Sequence, residues 1–143
     1  MSIFSPMRIS CSGLSAERLR LDTISNNIAN IDSTRSKGGG AYRRKVVSFE
    51  ENVKRTLNKE TNKYENKLNG VKVGKVFEDN SPIKKTYDPS HPDADKDGYV
   101  LNPNVNILNE MVDLMAVSRS YEANVTAMNV EKQMAMKALE IGR

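Results

Sequence analysis

Apolar residues recur with a helical period at both ends of the chain and with a shorter, strand-like period between them. From Ile107 the positions Ile107, Met111, Leu114, Ser118, Tyr121, Val125, Met128, Lys132, Ala135 and Leu139 step alternately by four and three. Only Ser118 and Lys132 break the apolar character when Tyr and Ala are admitted to it. Two apolar positions in every seven make a heptad seam. The spacing predicts a helix over 106–141, with Asn106 as N-cap, Glu110 and Asp113 near its positive end, and Lys137 and Arg143 near its negative end. At 1.5 Å per residue that helix is about 50 Å long. Near the start, Met7, Cys11, Leu14, Leu21, Ile24, Ile28 and Ile31 lie on one stripe that Arg18 interrupts. Ser5 followed by Pro6 reads as an N-cap with proline in the first helical position, so a second helix is predicted over 6–31.

The middle of the chain changes character. "SKGGG" (36–40) halts regular structure, because three successive glycines lose the most backbone freedom on ordering. "RRKVVSFE" (43–50) and "VKVGKVFE" (71–78) are β-branched and aromatic runs of strand length, expected to pair across the charged stretch 52–70. For that stretch helix, loop and mobile segment all remain open. The fold class is therefore mainly α with a small β-containing middle. Its regions are 1–34 (N-terminal helix), 35–104 (central β-hairpin and loops) and 105–143 (C-terminal helix).

Both helices carry weak helix formers. Ser25, Asn26, Asn27 and Asn30 sit in the first, and Ser118, Ser120, Asn124, Thr126 and Asn129 in the second. Each costs about 0.5 kcal/mol relative to alanine. Leu108, Val112, Met115, Val117, Val130, Met134 and Ile141 fall off the seam, which leaves apolar surface beyond what one helix pair buries. Two readings follow: ends that order fully only against other copies or other proteins, or a self-sufficient helical hairpin with a wide apolar face.

Composition narrows the function classes. A chain of 143 residues is expected to be one domain, and it contains no run of 18 apolar residues of the kind that spans a membrane as a helix. The opening "MSIFSPMRIS" lacks the basic start, apolar stretch and small-residue site of a cleaved secretory signal. Cys11, the single cysteine, excludes an internal disulfide and is expected as a small core residue rather than a nucleophile. His91, the single histidine, has no partners with which to build a zinc site. No acid/base pair, nucleophile or phosphate loop stands at useful spacing, so neither enzyme chemistry, cofactor nor small-molecule substrate is expected.

The net charge of +4 comes from residues 35–100, where fifteen Lys and Arg stand against ten Asp and Glu. Beyond Arg43, Arg44 and Lys45 the cations are interleaved with acids and asparagines, which reads as a solvated surface rather than a nucleic-acid stripe. In "HPDADKDG" (91–98), Asp93, Asp95 and Asp97 before Gly98 match the opening of a calcium loop. Position twelve of that loop is Asn104 and position eleven is Pro103, so the closing glutamate is missing. A polar turn is the simpler reading. A calcium module on the three aspartates, or a basic adaptor using Arg43, Arg44 and Lys45, stands as the alternative function.

"SGLSAERLRLDTISNNIAN" (12–30), "YRRKVVSFE" (42–50) and "YDPSHPDADKDGYVLNPNVNILNEMVDLMAVSRSYEANVTAMNVEKQMAMKALEIGR" (87–143) resemble the bacterial flagellar basal-body rod proteins. "SNNIAN" and "SRSYEANV" are shared across rod and hook proteins, whereas "YRRK", "HPDAD…GYV…PNVN" and the short middle resemble the proximal-rod members. Ala41 stands where many relatives have proline, and 51–70 has no match. The resemblance implies a structural subunit of the rod, the hollow drive shaft that transmits torque across the periplasm and encloses the export channel. It implies export by the flagellar type III apparatus without a cleaved signal, and terminal helices paired as an antiparallel coiled coil. The implied partners are copies of itself, proximal and distal rod proteins, basal-body ring and rod-adaptor components and the export apparatus, with no nucleic acid. On this reading the assembly interface falls on the seams: Leu14, Leu21, Ile24, Ile28 and Ile31 in the first helix. In the second it comprises Ile107, Met111, Leu114, Met115, Tyr121, Val125, Met128 and Leu139. Arg43 and Arg44, with the 91–98 loop, are expected to make polar contacts between neighbouring subunits.

Overall fold

The computed structural model describes residues 5–36, 38–58 and 63–141. Two helices, α1 (Ser5–Ala29) and α2 (Ile107–Ile141), flank four strands: β1 (Lys45–Asn58), β2 (Lys63–Glu78), β3 (Lys84–Tyr87) and β4 (Tyr99–Asn102). β1 pairs with β2 and β3 with β4, in separate two-stranded sheets. The mainly α chain with a β-containing middle is therefore present. The two runs predicted as strands do pair, and β1 and β2 extend through most of the stretch whose structure was left open. Residues 59–62 lie outside the described residues. No helix among the described residues is long and apolar enough to cross a membrane.

The chain divides into two compact units, one made of Met1–Leu19, Ser48–Lys75 and Val117–Arg143, the other of Arg20–Val47 and Val76–Ala116. In the first, Gly13 of α1 lies against Asn124 of α2, where an added Cβ would come within 3.3 Å of Asn124 Nδ2. Ser10 donates to Glu131 Oε1 at 3.3 Å. The partner numbers fall as the α1 numbers rise, so the two helices run antiparallel here. The strands of this unit are tied through side chains as well as backbone. Ser48 Oγ donates to Lys75 O (3.3 Å) and accepts from Lys75 N–H (3.1 Å), and Lys72 pairs with Glu50 at 3.1 Å.

In this unit the hairpin meets α1 where Val71 N–H donates to Ser12 Oγ (3.1 Å) while the Ser12 hydroxyl donates to Ile9 O (2.7 Å). Docking requires Gly70. Its φ of 92° is a left-handed conformation that side chains disfavour, and a Cβ there would overlap Ser12 Oγ.

The second unit holds most of the buried apolar residues, with Ile24, Ala41, Tyr42, Val100 and Val105 at 9% exposure or less. β3 and β4 are antiparallel, with Lys84 opposite Asn102 and Tyr87 opposite Tyr99, and the two tyrosine rings meet edge-on at 5.3 Å. Asn106 caps α2 as expected: its Oδ1 accepts from Leu108 N–H (3.0 Å) and its carbonyl from Glu110 N–H (3.0 Å). The 91–98 loop, expected as a polar turn, joins β3 to β4, with Gly98 at φ 76° closing a turn in which Gly98 N–H donates to Asp95 O (2.8 Å).

The stripe that each helix buries is rotated from the apolar one. On α1 the buried residues are Ala16, Thr23, Ile24 and Asn27, and on α2 they are Glu110 and Val117. Cys11, expected in the core, is exposed. The reason is that polar side chains with specific partners occupy the inward stripe, so part of the apolar seam turns outward.

Gly70→Ala should therefore lower stability by about 1–3 kcal/mol in urea unfolding, from backbone strain plus loss of the Ser12 contact. Asn106→Ala should cost about 1 kcal/mol through the lost cap.

Candidate functional site

Two other segments of the second unit, 42–45 and the first turn of α2, converge on one asparagine of α1. Asn27 is 1% exposed and sits on α1 between Asn26 and Ile28, where a helix propensity scale alone would not place it. Its amide Nδ2 donates to Lys45 O (2.9 Å) and to Glu110 Oε2 (3.0 Å). Its Oδ1 accepts from Lys45 N–H (2.9 Å) and from the Tyr42 hydroxyl (2.9 Å). All four hydrogen-bonding positions named here are filled, as burial of an amide requires. Toward Lys45 the carboxamide acts as a neighbouring peptide group would, giving and receiving one bond at the outer edge of β1.

Glu110, with 0% exposure, is the second anchor. Besides Asn27 it accepts from Arg44 Nε at 2.5 Å through Oε1. The Arg44 guanidinium also reaches Asp113 Oδ2 at 3.2 Å and Asp79 Oδ2 at 3.8 Å. Its backbone is held as firmly: Arg44 N–H donates to Asn104 Oδ1 (2.8 Å), and Arg44 O accepts from Asp79 N–H (2.7 Å). Asn104 Nδ2 in turn donates to Asp79 O (3.0 Å) and Ser81 O (3.2 Å). One helix end, two strand ends, the segment before α2 and the first turn of α2 are thus fastened in a single polar junction.

The electrostatics follow from this packing. Burial of the Arg44 guanidinium disfavours its charge. The hydrogen bond and charge of Glu110, with Asp113 and Asp79 behind it, more than offset that burial and hold the group above its ordinary value. Burial raises the Tyr42 phenol, and the charges of Glu110 and Glu78 add to the rise. Asp79 is held below the ordinary carboxylate value first by hydrogen bonds from the Ser81 hydroxyl and amide.

The residues expected from the sequence divide into three groups. Ile24 is buried, at 5% exposure, while Leu14, Leu21, Ile28 and Ile31 are half-buried. Leu114, Tyr121, Val125 and Met128 are half-buried on α2. Ile107, Met111, Met115 and Leu139 are exposed at 44, 46, 52 and 73%. Arg43 is half-buried and donates to Asp79 O at 3.5 Å.

Arg44 and Lys45 do not form the basic patch that a nucleic-acid adaptor needs. The first lies among carboxylates, and the second stands 5.8 Å from the Tyr42 ring centroid. The calcium alternative also finds no support. Asp93 accepts from Thr34 Oγ1 (2.7 Å) and pairs with Arg35, whereas Asp95 and Asp97 lie exposed. Among the described residues no group of three or more His, Cys, Asp or Glu is placed to hold a metal ion.

Polar side chains that hold distant segments together, beside helix faces left apolar and open, describe a building block for larger structures. Two family models match: the flagella basal body rod protein over residues 7–35, and the flagellar basal body rod FlgEFG protein C-terminal region over residues 96–141. Curated relatives match over essentially their whole length. The flagellar basal-body rod protein FlgC of Bacillus subtilis is 49% identical over 150 residues, covering 100% of both chains. That of Borreliella burgdorferi is 44% identical over 149 residues, covering 99% of this chain and 98% of the relative. That of Escherichia coli O6:H1 is 38% identical over 143 residues, covering 100% of both. The chain belongs to the FlgC family of flagellar basal-body rod proteins. The family is structural rather than enzymatic, its place is the flagellar basal body, and membership implies assembly with other basal-body components.

Glu110→Ala should cost about 3 kcal/mol in urea unfolding, because it removes the buried partner of Arg44 and leaves one Asn27 donor unpaired. Glu122→Ala, on the exposed face of α2, should stay within about 0.5 kcal/mol. Asp93 supplies a pH test. The Thr34 hydrogen bond, then the Arg35 ion pair and charge with His91 adding, hold its carboxyl below 3.8. Its contribution to stability is complete above the unfolded value and disappears as pH falls through the lower folded one. The stability gap between wild type and Asp93→Asn should therefore be present at pH 7 and shrink as pH falls below the ordinary carboxylate range.

Proposed function

We propose that this chain is a subunit of the proximal rod, co-assembling with copies of itself and with proximal- and distal-rod proteins into the hollow shaft that carries torque across the periplasm and encloses the export channel. The observation that carries the reading is the apolar surface on α2: Leu108, Val112, Met115, Met134, Leu139 and Ile141 are 52% exposed or more. A helix with apolar residues on more than one face belongs in a larger assembly. Full-length similarity to rod proteins supports the rod as that assembly.

In this reading regions 1–34 and 105–143 form an antiparallel coiled coil at the core of the rod, and 35–104 is the β-containing outer region. The descending contacts Ser10–Glu131 and Gly13–Asn124 support that pairing. The interface combines the exposed Ile107, Met111, Met115 and Leu139 with the half-buried seam residues. Leu14, Leu21, Ile28 and Ile31 lie on α1 or just past its end, while Leu114, Tyr121, Val125 and Met128 lie on α2. Ile24 closes the seam from within, Arg44 holds the subunit's own shape, and Arg43 contacts a neighbour. Ring and rod-adaptor components meet the ends of the assembly. The chain reaches the periplasm through the flagellar type III apparatus without a cleaved signal.

The test is complementation of swimming in a strain lacking its own rod subunit of this type. The wild-type chain should restore swimming. Arg43→Glu and Leu114→Asp should abolish it while the chain is still exported, and full motility in both variants would overturn the interface. The purified chain should sediment as a monomer in dilute solution, with helix signal in circular dichroism that rises when rod partners are added.

A further inference from the structure

Helix α2 carries two apolar patches that no described residue covers. Leu108, Val112 and Met115, near its start, are exposed at 70, 63 and 52%. Val130, Met134 and Ile141, toward its end, are exposed at 48, 60 and 86%. At about 100° per residue the three residues of each patch fall on one face of the helix. Along the chain the exposed Arg119, Glu122 and Thr126 separate the two patches.

The surroundings of the two patches differ in charge. Beside the first, Val112 lines an open groove of about 450 Å³ with Arg44, Asp79, Glu110 and Asp113, three carboxylates against one guanidinium. Within the second, Lys137 stands between Met134 and Ile141 at 75% exposure, held only by an exposed pair with Glu140 at 2.7 Å. An exposed i, i+3 pair contributes little and exchanges readily.

We propose that the C-terminal patch of one copy packs on the N-terminal patch of α2 in the next, with the helices parallel and offset by about 22 residues, or about 33 Å. That offset sets Met134 against Val112 and Val130 against Leu108, and brings Lys137 to the mouth of the carboxylate groove. The contact deepens the rod reading and rests on it. Side-by-side pairing in register would instead set groove beside groove and lysine beside lysine. Antiparallel pairing would match the same patches but would close after two copies. The offset contact joins two different surfaces, so it repeats without closing, as a shaft requires.

Disulfide trapping in cells separates these arrangements. In a Cys11→Ser background, which removes the exposed native thiol, Val112→Cys and Met134→Cys are combined in one chain. Mild oxidation of swimming cells should yield a ladder of dimers, trimers and longer species on non-reducing gels, absent from each single variant. Should the double variant not swim, Leu108→Cys with Val130→Cys tests the same offset. Dimers alone would show a closed antiparallel pair and overturn the proposal, as would no cross-link from either pair in swimming cells. If the Cys11→Ser chain itself does not restore swimming while the wild-type chain does, trapping is done instead on purified chain with rod partners, and the same ladder decides. Failure of the wild-type chain to restore swimming would overturn the rod reading, and this contact with it.

Discussion

A carboxylate with no exposure to water has to be matched by donors, and the arrangement of the second unit follows from that requirement at Glu110. Its oxygens are met by Arg44 from the segment leading into β1 and by Asn27 from α1. Losing Arg44 would leave the buried charge unpaired, and losing Asn27 would leave one buried carboxylate oxygen without its donor. The end of α1, the start of β1 and the first turn of α2 are therefore fixed together or not at all. Asn27 strengthens the coupling because the amide that donates to Glu110 also completes the edge of β1 at Lys45. Such networks favour one arrangement over its competitors more than they add net stability.

That division of labour explains where the apolar residues are. Few of the described side chains are fully buried and apolar, and two of those, Ala16 and Ala41, are small. Polar contacts define the subunit, so much of the apolar surface of α2 remains available to other chains. A globular domain of this length ordinarily makes the opposite choice, placing large apolar side chains inside and covering them. For a member of a rod-protein family the open face is an asset, because the interior that matters is that of the assembly.

Periodicity and turn chemistry made much of the fold legible. Both helices, the Asn106 cap and the pairing of 43–50 with 71–78 follow from patterns that local backbone preferences and side-chain spacing produce. The buried stripe was harder to see. An apolar heptad count passes over Asn27 and Glu110, yet these two lie on the inward faces, and Cys11 lies outside. A signal was present: Asn27 stands among three other weak helix formers, and an asparagine held in a helix against its propensity indicates a specific partner. Which partner was beyond the reach of pattern, since Glu110 lies 83 positions away and its place after Asn106 also suits the helix dipole. The triplet at 43–45 misled for a similar reason. Charge composition shows that cations are present, whereas only tertiary structure shows that Arg44 faces three carboxylates.

The separations within the junction also govern when the chain can fold. Asn27 meets Lys45 across 18 positions and Glu110 across 83, and Arg44 meets Glu110 across 66. Contacts so distant along the chain form only after a large loop has closed, which slows folding and places the entropic cost ahead of the reward. During synthesis α1 emerges first but lacks its buried partner until roughly three-quarters of the polypeptide has been made. The nascent chain thus has a built-in delay: the junction cannot set before Glu110 has been made.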